Sequence, residues 1–270
     1  MYHSIIFWNE WPSFETKEEW LTFLSKNEKN MKNTWADWYL IPSSRPVINP
    51  PEVKTKFVDI PGADWHLDLS TVLTGDVAYG SRTGSIEFIV DNGQLSEYRA
   101  ETWSKLYSEI MNYLHGKLLK ATLEDDPSFY YQGRFAVNDW ASDEHNSKIT
   151  IDYTLSPFKY EKFSSLEDWE WDTFNFETDI IRNYKDLRVD GILTLKILGR
   201  RMAVTPSFIV KTEDEDGLDV VFNGTSYHLP DNTTRNPSTR VVNIRTVEGE
   251  NTLKFYGHGT VSVDYRGGCL

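Results

Sequence analysis

Apolar and polar residues alternate most regularly over 148–155. Ile149, Ile151, Tyr153 and Leu155 fall on one side, and Lys148, Thr150, Asp152 and Thr154 on the other. A strand with one buried face produces that period of two. The alternation stops at Pro157, which has no N–H to give to a ladder. "TGSIEFIVDNG" repeats the pattern, setting Ile86, Phe88 and Val90 against Glu87 and Asp91, and ends on an Asn-Gly turn signal. Between the two strands, Trp103, Leu106, Tyr107, Ile110 and Leu114 recur at helical spacing, with Gly116 placed to end the helix. "KLLKATLED" and "FYYQGRFAVNDW" read as further strands. A shorter helix is predicted over 16–26, where Thr16 and Glu19 form a capping box ahead of Trp20, Phe23 and Leu24.

Beyond about residue 161 the texture changes. "LTLKILG", "PSFIVKT", "LDVVFNG", "RVVNIRTV", "NTLKFYG" and "TVSVDYRGG" are short strand candidates separated by Gly, Asn and Asp, the spacing of an antiparallel β-sandwich. No helix is predicted beyond a segment at 165–173. The expected class is therefore mainly β with one main α-helix, in two domains, 1–161 and 162–270. Pro157, Phe158 and Tyr160 stand at the junction.

Between the predicted short helix and the "TGSIEFIVDNG" strand lies "IPSSRPVINPPEVKTKFVDIPG", with five prolines. Proline removes a backbone donor and turns the residue before it away from helix. This stretch predicts an extended arm over about 37–70, with short edge pairings and no packed central strand.

Composition then narrows the chemistry. The chain has 270 residues and a formal net charge of −13, so the basic stripe that phosphate binding requires is missing. Eight of the ten tryptophans precede residue 150, which reads as core and subunit-interface packing. The one cysteine, Cys269, cannot form an intramolecular disulfide and has no local base to make it a nucleophile. "DWHLD" sets Asp64, His66 and Asp68 on one strand face, a metal-like trio that reads better as a solvated face. "TEDEDG" resembles the start of a calcium loop but lacks its later carboxylates, and Asp216-Gly217 reads as a hairpin turn. No nucleophile elbow, phosphate loop, zinc-helix motif or paired-cysteine motif occurs. Neither a signal peptide nor an apolar run long enough to span a membrane is found, so a soluble protein made in the cytosol is expected. No catalytic, metal or cofactor residue is assigned.

The region Asp37–Phe88 resembles the N-terminal part of the distal tail proteins (Dit) of tailed phages infecting Gram-positive bacteria. The elements that carry the resemblance are "RPVINPPEVKT", "VDIPGAD", "LDLSTVLTG" and "YGSRTGSIEF", followed by "YYQGRF", "YTLSPFKYE" and the closing "VSVDYRGGCL". One departure is Trp65, where the family often has Gly; a larger residue at positive φ there would strain the turn. The resemblance implies a tail-tube-like belt domain that forms a ring, usually hexameric, and an outer galectin-like or carbohydrate-module-like sandwich. It implies a structural virion protein at the tail tip or baseplate, assembled in the host cytoplasm, with no enzymatic activity and no cofactor. The partners it implies are other copies of the chain, a tail tube protein, a hub or tip protein and a receptor-binding protein. DNA would be passed through the ring lumen without specific binding, and no membrane would be entered. The arm and interface candidates are Trp35, Trp38, Pro50, Pro51, Val53, Pro61, Gly62, Asp64, Leu67 and Leu69, with Trp8 and Trp11 as further anchors near the arm. An alternative is a carbohydrate-binding module contacting the host cell wall through Trp169, Trp171, Tyr227 and Tyr256. A wall-degrading glycoside hydrolase would need a carboxylate pair that the sequence does not mark.

Overall fold

The computed structural model describes residues 3–9, 31–72, 75–90, 99–142, 147–166, 184–212, 217–232 and 237–270. It divides into two compact units that change over between Lys159 and Tyr160. The predicted helix at 16–26, Trp11, Trp169 and Trp171, the Asn92-Gly93 turn and most of 165–173 lie outside the described residues.

The first unit is built on an antiparallel sheet. Its strands are β1 (Ile5–Trp8), β2 (Met31–Asn33), β3 (Leu40–Pro42), β8 (Arg82–Val90), β9 (Leu118–Leu123), β10 (Phe129–Ser142) and β11 (Ser147–Leu155), in the order β2-β1-β9-β10-β11-β8-β3. Four short strands, β4 (Val53–Lys54), β5 (Phe57–Asp59), β6 (His66–Asp68) and β7 (Ala78–Tyr79), pair only among themselves, as β4-β7 and β5-β6. The helix α1 (Arg99–Leu114) buries Trp103, Ile110 and Leu114 in one core with Phe88, Ile149, Ile151 and Tyr153. The alternation therefore does what it predicts: odd-numbered residues of β11 and even-numbered residues of β8 line one face. Gly116 takes φ +74 and ends the helix in the left-handed region, where glycine alone carries no side-chain penalty.

Strand β10 holds an irregularity. Val137 pairs with Ile151, but the next partners are Asp139 and Thr150, so Asn138 is an extra residue. The Val137 N–H donates to His115 Nδ1 at 3.2 Å beside this bulge. Past it, Trp140 pairs with the fully buried Ile149 and so lies on the helix side of the sheet.

The second unit contains β13 (Leu187–Gly199), β14 (Ser207–Lys211), β15 (Leu218–Phe222), β16 (Thr225–Leu229), β17 (Thr239–Arg240) and β18 (Gly249–Asp264), with β12 (Lys159–Glu161) pairing β19 (Gly268–Cys269). The order is β16-β15-β18-β14-β17, with β13 along β18. Phe208 of β14 meets Phe255 of β18 edge-on, with centroids 6.0 Å apart, so the sheet turns its two ends toward a shared core.

Two expectations for this unit are corrected. "NTLKFYG" and "TVSVDYRGG" are one strand, because Gly257 (φ +125) and Gly259 (φ +154) let the chain bend without leaving the ladder. "RVVNIRTV" is not a strand past Arg240: Ile244 N–H closes a turn on Val241, and Val242 and Val247 are exposed while Ile244 is buried. Asp216 of the Asp216-Gly217 turn lies outside the described residues; the strands on either side, β14 and β15, both pair with β18.

The end of the chain closes this unit. Glu161, buried at the start, accepts bonds from Arg200 Nε at 2.8 Å and from the Gly267 N–H at 3.0 Å. Arg266 donates to the carbonyls of Glu161 and Lys162, and the Ser165 hydroxyl links the Tyr265 N–H to the Val263 carbonyl.

Candidate assembly arm and its root

The arm begins later than the sequence suggests. Residues 31–42 supply β2, β3 and a tight turn in which Asn33 Oδ1 accepts from the backbones of Trp35 and Ala36. Trp38 is a correction: it is fully buried, edge-on to Tyr113 at 5.5 Å and tilted against Phe7 at 6.2 Å, so it packs its own core and cannot anchor a neighbour. Trp8 is buried as well, with its Nε1 donating to Thr122 Oγ1 at 3.3 Å and Lys120 Nζ 4.6 Å above its ring. Trp35 is half-buried in the turn. A large aromatic adjoining a Pro-rich segment is as readily core as interface, and here burial decides it.

The excursion proper runs from Asn49 to Gly80. Pro50 and Val53 are exposed and Pro51 is half-buried as the chain leaves the sheet. Val53 pairs with Tyr79 and Lys54 with Ala78, and the Gly80 N–H donates to the Glu52 carbonyl at 2.7 Å, so the two limbs are stapled near the base. Further out, Phe57 faces Asp68, Val58 faces Leu67 and Asp59 faces His66. The tip is a turn in which the Ala63 N–H bonds the Ile60 carbonyl, with Pro61 and then Gly62 (φ +81) at its centre. That is a type II turn, which needs positive φ at its third residue, and Gly62 supplies it. Trp65 carries no positive φ, so the departure from the family's pattern causes no strain.

Parity divides the hairpin into unlike faces. Asp59 and His66 are hydrogen-bonded on one, beside Phe57 and Asp68. Ser70 donates to Asp68 through its backbone N–H at 2.8 Å, and bonds from Ser70 hold the Asp68 carboxyl below its usual range. The other face is apolar: Val58 and Leu67, continued by Ile60 and Trp65 at the same parity. All four are exposed, Trp65 at 62 %. Of the named candidates, Leu67 lies on this face, while Pro61, Gly62 and Asp64 sit at the exposed tip and Leu69 is half-buried. Val58, Ile60 and Trp65 were legible only once Val58 was known to oppose Leu67. Among the described residues, no group of three or more His, Cys, Asp or Glu is placed to share a metal ion.

The root is held from several sides. Arg45 Nε donates to Asp125 Oδ2 at 2.9 Å, and the same carboxylate takes His3 Nδ1 at 3.0 Å. The hydrogen bond from His3, then those from Arg45, pull the Asp125 pKa below its ordinary value. The Asn49 N–H donates to the Tyr153 hydroxyl at 3.0 Å, and Asn49 Nδ2 donates to the Thr83 carbonyl at 2.8 Å. Gly84 makes room for this: a Cβ there would lie 2.6 Å from Asn49 Nδ2. Arg82 is buried, with Nε donating to the Pro157 carbonyl at 2.8 Å and Nη1 to the Asn49 carbonyl at 3.0 Å. Its guanidinium lies 5.7 Å from the Tyr131 ring centroid, and burial lowers its pKa. Tyr79, on the returning limb, meets Phe158 edge-on at 5.8 Å. Pro157 and Phe158, read from sequence as junction residues, are thus brought to the arm root. Tyr160 begins the second unit.

Of the aromatic platform suggested for the second unit, Tyr227 and Tyr256 are described, and they lie on opposite faces of the sheet. Tyr227 pairs with Val220 and packs on the core side, whereas Tyr256 pairs with Asp219 and faces solvent.

No family model matches this sequence, and no curated protein does. A solved structure of similar fold is that of the SPP1 Dit protein, described as a paradigm of the hub adsorption apparatus in phages that infect Gram-positive bacteria. The TM-score is 0.54 at 12 % identity, over 86 % of this chain and 94 % of that one. The fold is Dit-like: mainly β, antiparallel, with a single helix among the described residues.

Proposed function

We propose that this chain is a structural subunit of a phage tail, a distal tail protein that assembles with copies of itself into a ring at the tail tip. The observation that carries this reading is the arm, a two-stranded hairpin that turns Val58, Ile60, Trp65 and Leu67 to water. An isolated hairpin of this size is marginal in water, and a contiguous apolar face marks a surface made to be covered. A neighbouring copy is the natural cover, because arm exchange around a ring satisfies every subunit alike. The Dit-like fold supports the same reading. In it, the first unit forms a ring, six-membered as in the family resembled, that joins the tail tube to the hub or tip. The second unit presents a surface for receptor-binding proteins, the protein belongs to the virion, and no step of its work is catalytic.

Light scattering after size exclusion, with negative-stain images, tests it. A closed ring with a central opening is the expected result. A monomer that persists at high micromolar concentration, without rings, overturns the proposal.

A further inference from the structure

We infer that Arg82 is a positioning residue that joins the arm root to the end of the first unit at Pro157–Phe158, so that displacement of one is transmitted to the other. The inference concerns the isolated subunit and stands whether or not the chain forms rings.

Arg82 is an unusual choice for its position. It is 4 % exposed and makes no ion pair among the described residues. Buried cations are ordinarily neutralised by a carboxylate, because moving a charge out of water costs several kcal/mol. Here the guanidinium bonds two backbone carbonyls, one on each side: Asn49, where the arm departs, and Pro157, where strand pairing on β11 has ended. The planar fork of arginine reaches both at once, and a lysine ammonium at the end of a single stem does not. Nη2 is buried with no hydrogen-bond partner among the described residues, so the residue is not optimised for stability alone.

The neighbouring contacts point to the same pair of segments. Asn49 is fastened again by Tyr153 and Thr83, and Gly84 is small enough to let it approach. The returning limb reaches the exit independently, through Tyr79 on Phe158. Both limbs of the arm are therefore tied to two consecutive residues that carry the chain toward Lys159.

Hydrogen exchange on the full chain tests the coupling. Asn49→Ala disturbs the arm side alone, and the amides of residues 158–160 report the exit side. In the native background the substitution is expected to raise exchange at 158–160 by roughly tenfold, the scale of one lost hydrogen bond. In an Arg82→Lys background the same substitution should add nothing there, while amides of Ile149–Tyr153 stay protected in all variants. Unchanged exchange at 158–160 in Asn49→Ala overturns the inference even if Arg82→Lys does not fold. An equal rise in both backgrounds, or a rise that spreads over Ile149–Tyr153, also overturns it, since the connection would then bypass Arg82 or be general loosening.

Discussion

Val58 and Leu67 lie directly opposite each other across the arm hairpin, and each keeps more than a third of its surface in water (38 % and 40 %). Cross-strand apolar pairs stabilise a sheet when a second layer covers them, and this pair has none. Leu67→Asp and Trp65→Ser are therefore expected to abolish self-association and to leave the subunit's melting temperature nearly unchanged. Exposed substitutions typically shift stability by no more than about 0.5 kcal/mol. Asp59→Asn, on the polar face, should leave association intact. Sedimentation velocity and thermal melts on the same samples separate the two effects.

Tyr113 ties α1 to β1, donating its hydroxyl to the Phe7 carbonyl at 3.1 Å. Burial, and then the nearby Asp37 carboxylate, push its pKa from 10.0 up to about 12. The folded state thus favours the neutral phenol. Its contribution is complete below the ordinary value of 10.0 and is lost as pH rises toward about 12. A phenolate absorbance titration should show this late ionisation, alongside that of Tyr131, which burial also raises. Tyr113→Phe should remove one late ionisation and cost about 1 kcal/mol in urea melts.

Much of the first unit could be read from the chain, because its strands are buried on one face and the period of two survives in β8 and β11. What escaped follows from long-range packing. Trp38 was assigned by its proximity to prolines, yet proximity in sequence says nothing of which aromatic the helix will cover. Gly257 and Gly259 read as turns since glycine usually ends strands, but within a long strand it also permits a bend. Arg82 carries no sequence signal: its role depends on Asn49 and Pro157, thirty-three and seventy-five residues away. The arm's hairpin turn was legible at Pro61-Gly62, whereas its apolar face depended on register, which only pairing sets.

The bulge at Asn138 re-aims Trp140. Were the same residues paired without the bulge, Trp140 would meet Lys148 and point away from the helix; with it, Trp140 meets Ile149, and the indole stacks on Tyr107 at 4.6 Å and lies 6.2 Å from Trp103. Deleting Asn138 removes only the extra residue and leaves Trp140 opposite Ile149, so its near-UV circular dichroism contribution should persist. Trp140→Ala should cost roughly 0.5–1.5 kcal/mol for the lost stack. If the deletion variant loses the native aromatic spectrum, Asn138 is not merely the residue that the bulge absorbs.

The last expectation concerns how the second unit is closed. Glu161 stands at its entrance and the 265–269 segment at its end, and the two are joined through one buried carboxylate. That carboxylate accepts the Arg200 guanidinium on one oxygen and the Gly267 N–H on the other, while a Cβ at Gly267 would sit 2.6 Å from it. Removing one member of such a pair takes a buried counter-charge from the other, a loss of about 3–5 kcal/mol where burial is complete and less where, as here, Arg200 keeps some contact with water. Glu161→Ala should thus unfold the second unit at lower urea and leave the transition of the first unit in place, so that a single unfolding step becomes two. Glu161→Gln keeps the volume and one acceptor oxygen but sets an NH2 group against the second donor, so it should recover only part of the loss. Removing residues 265–270 should reproduce the alanine result, because it takes away β19 and the Ser165–Tyr265 link together with Gly267. One undivided transition in all three variants would place the closure elsewhere.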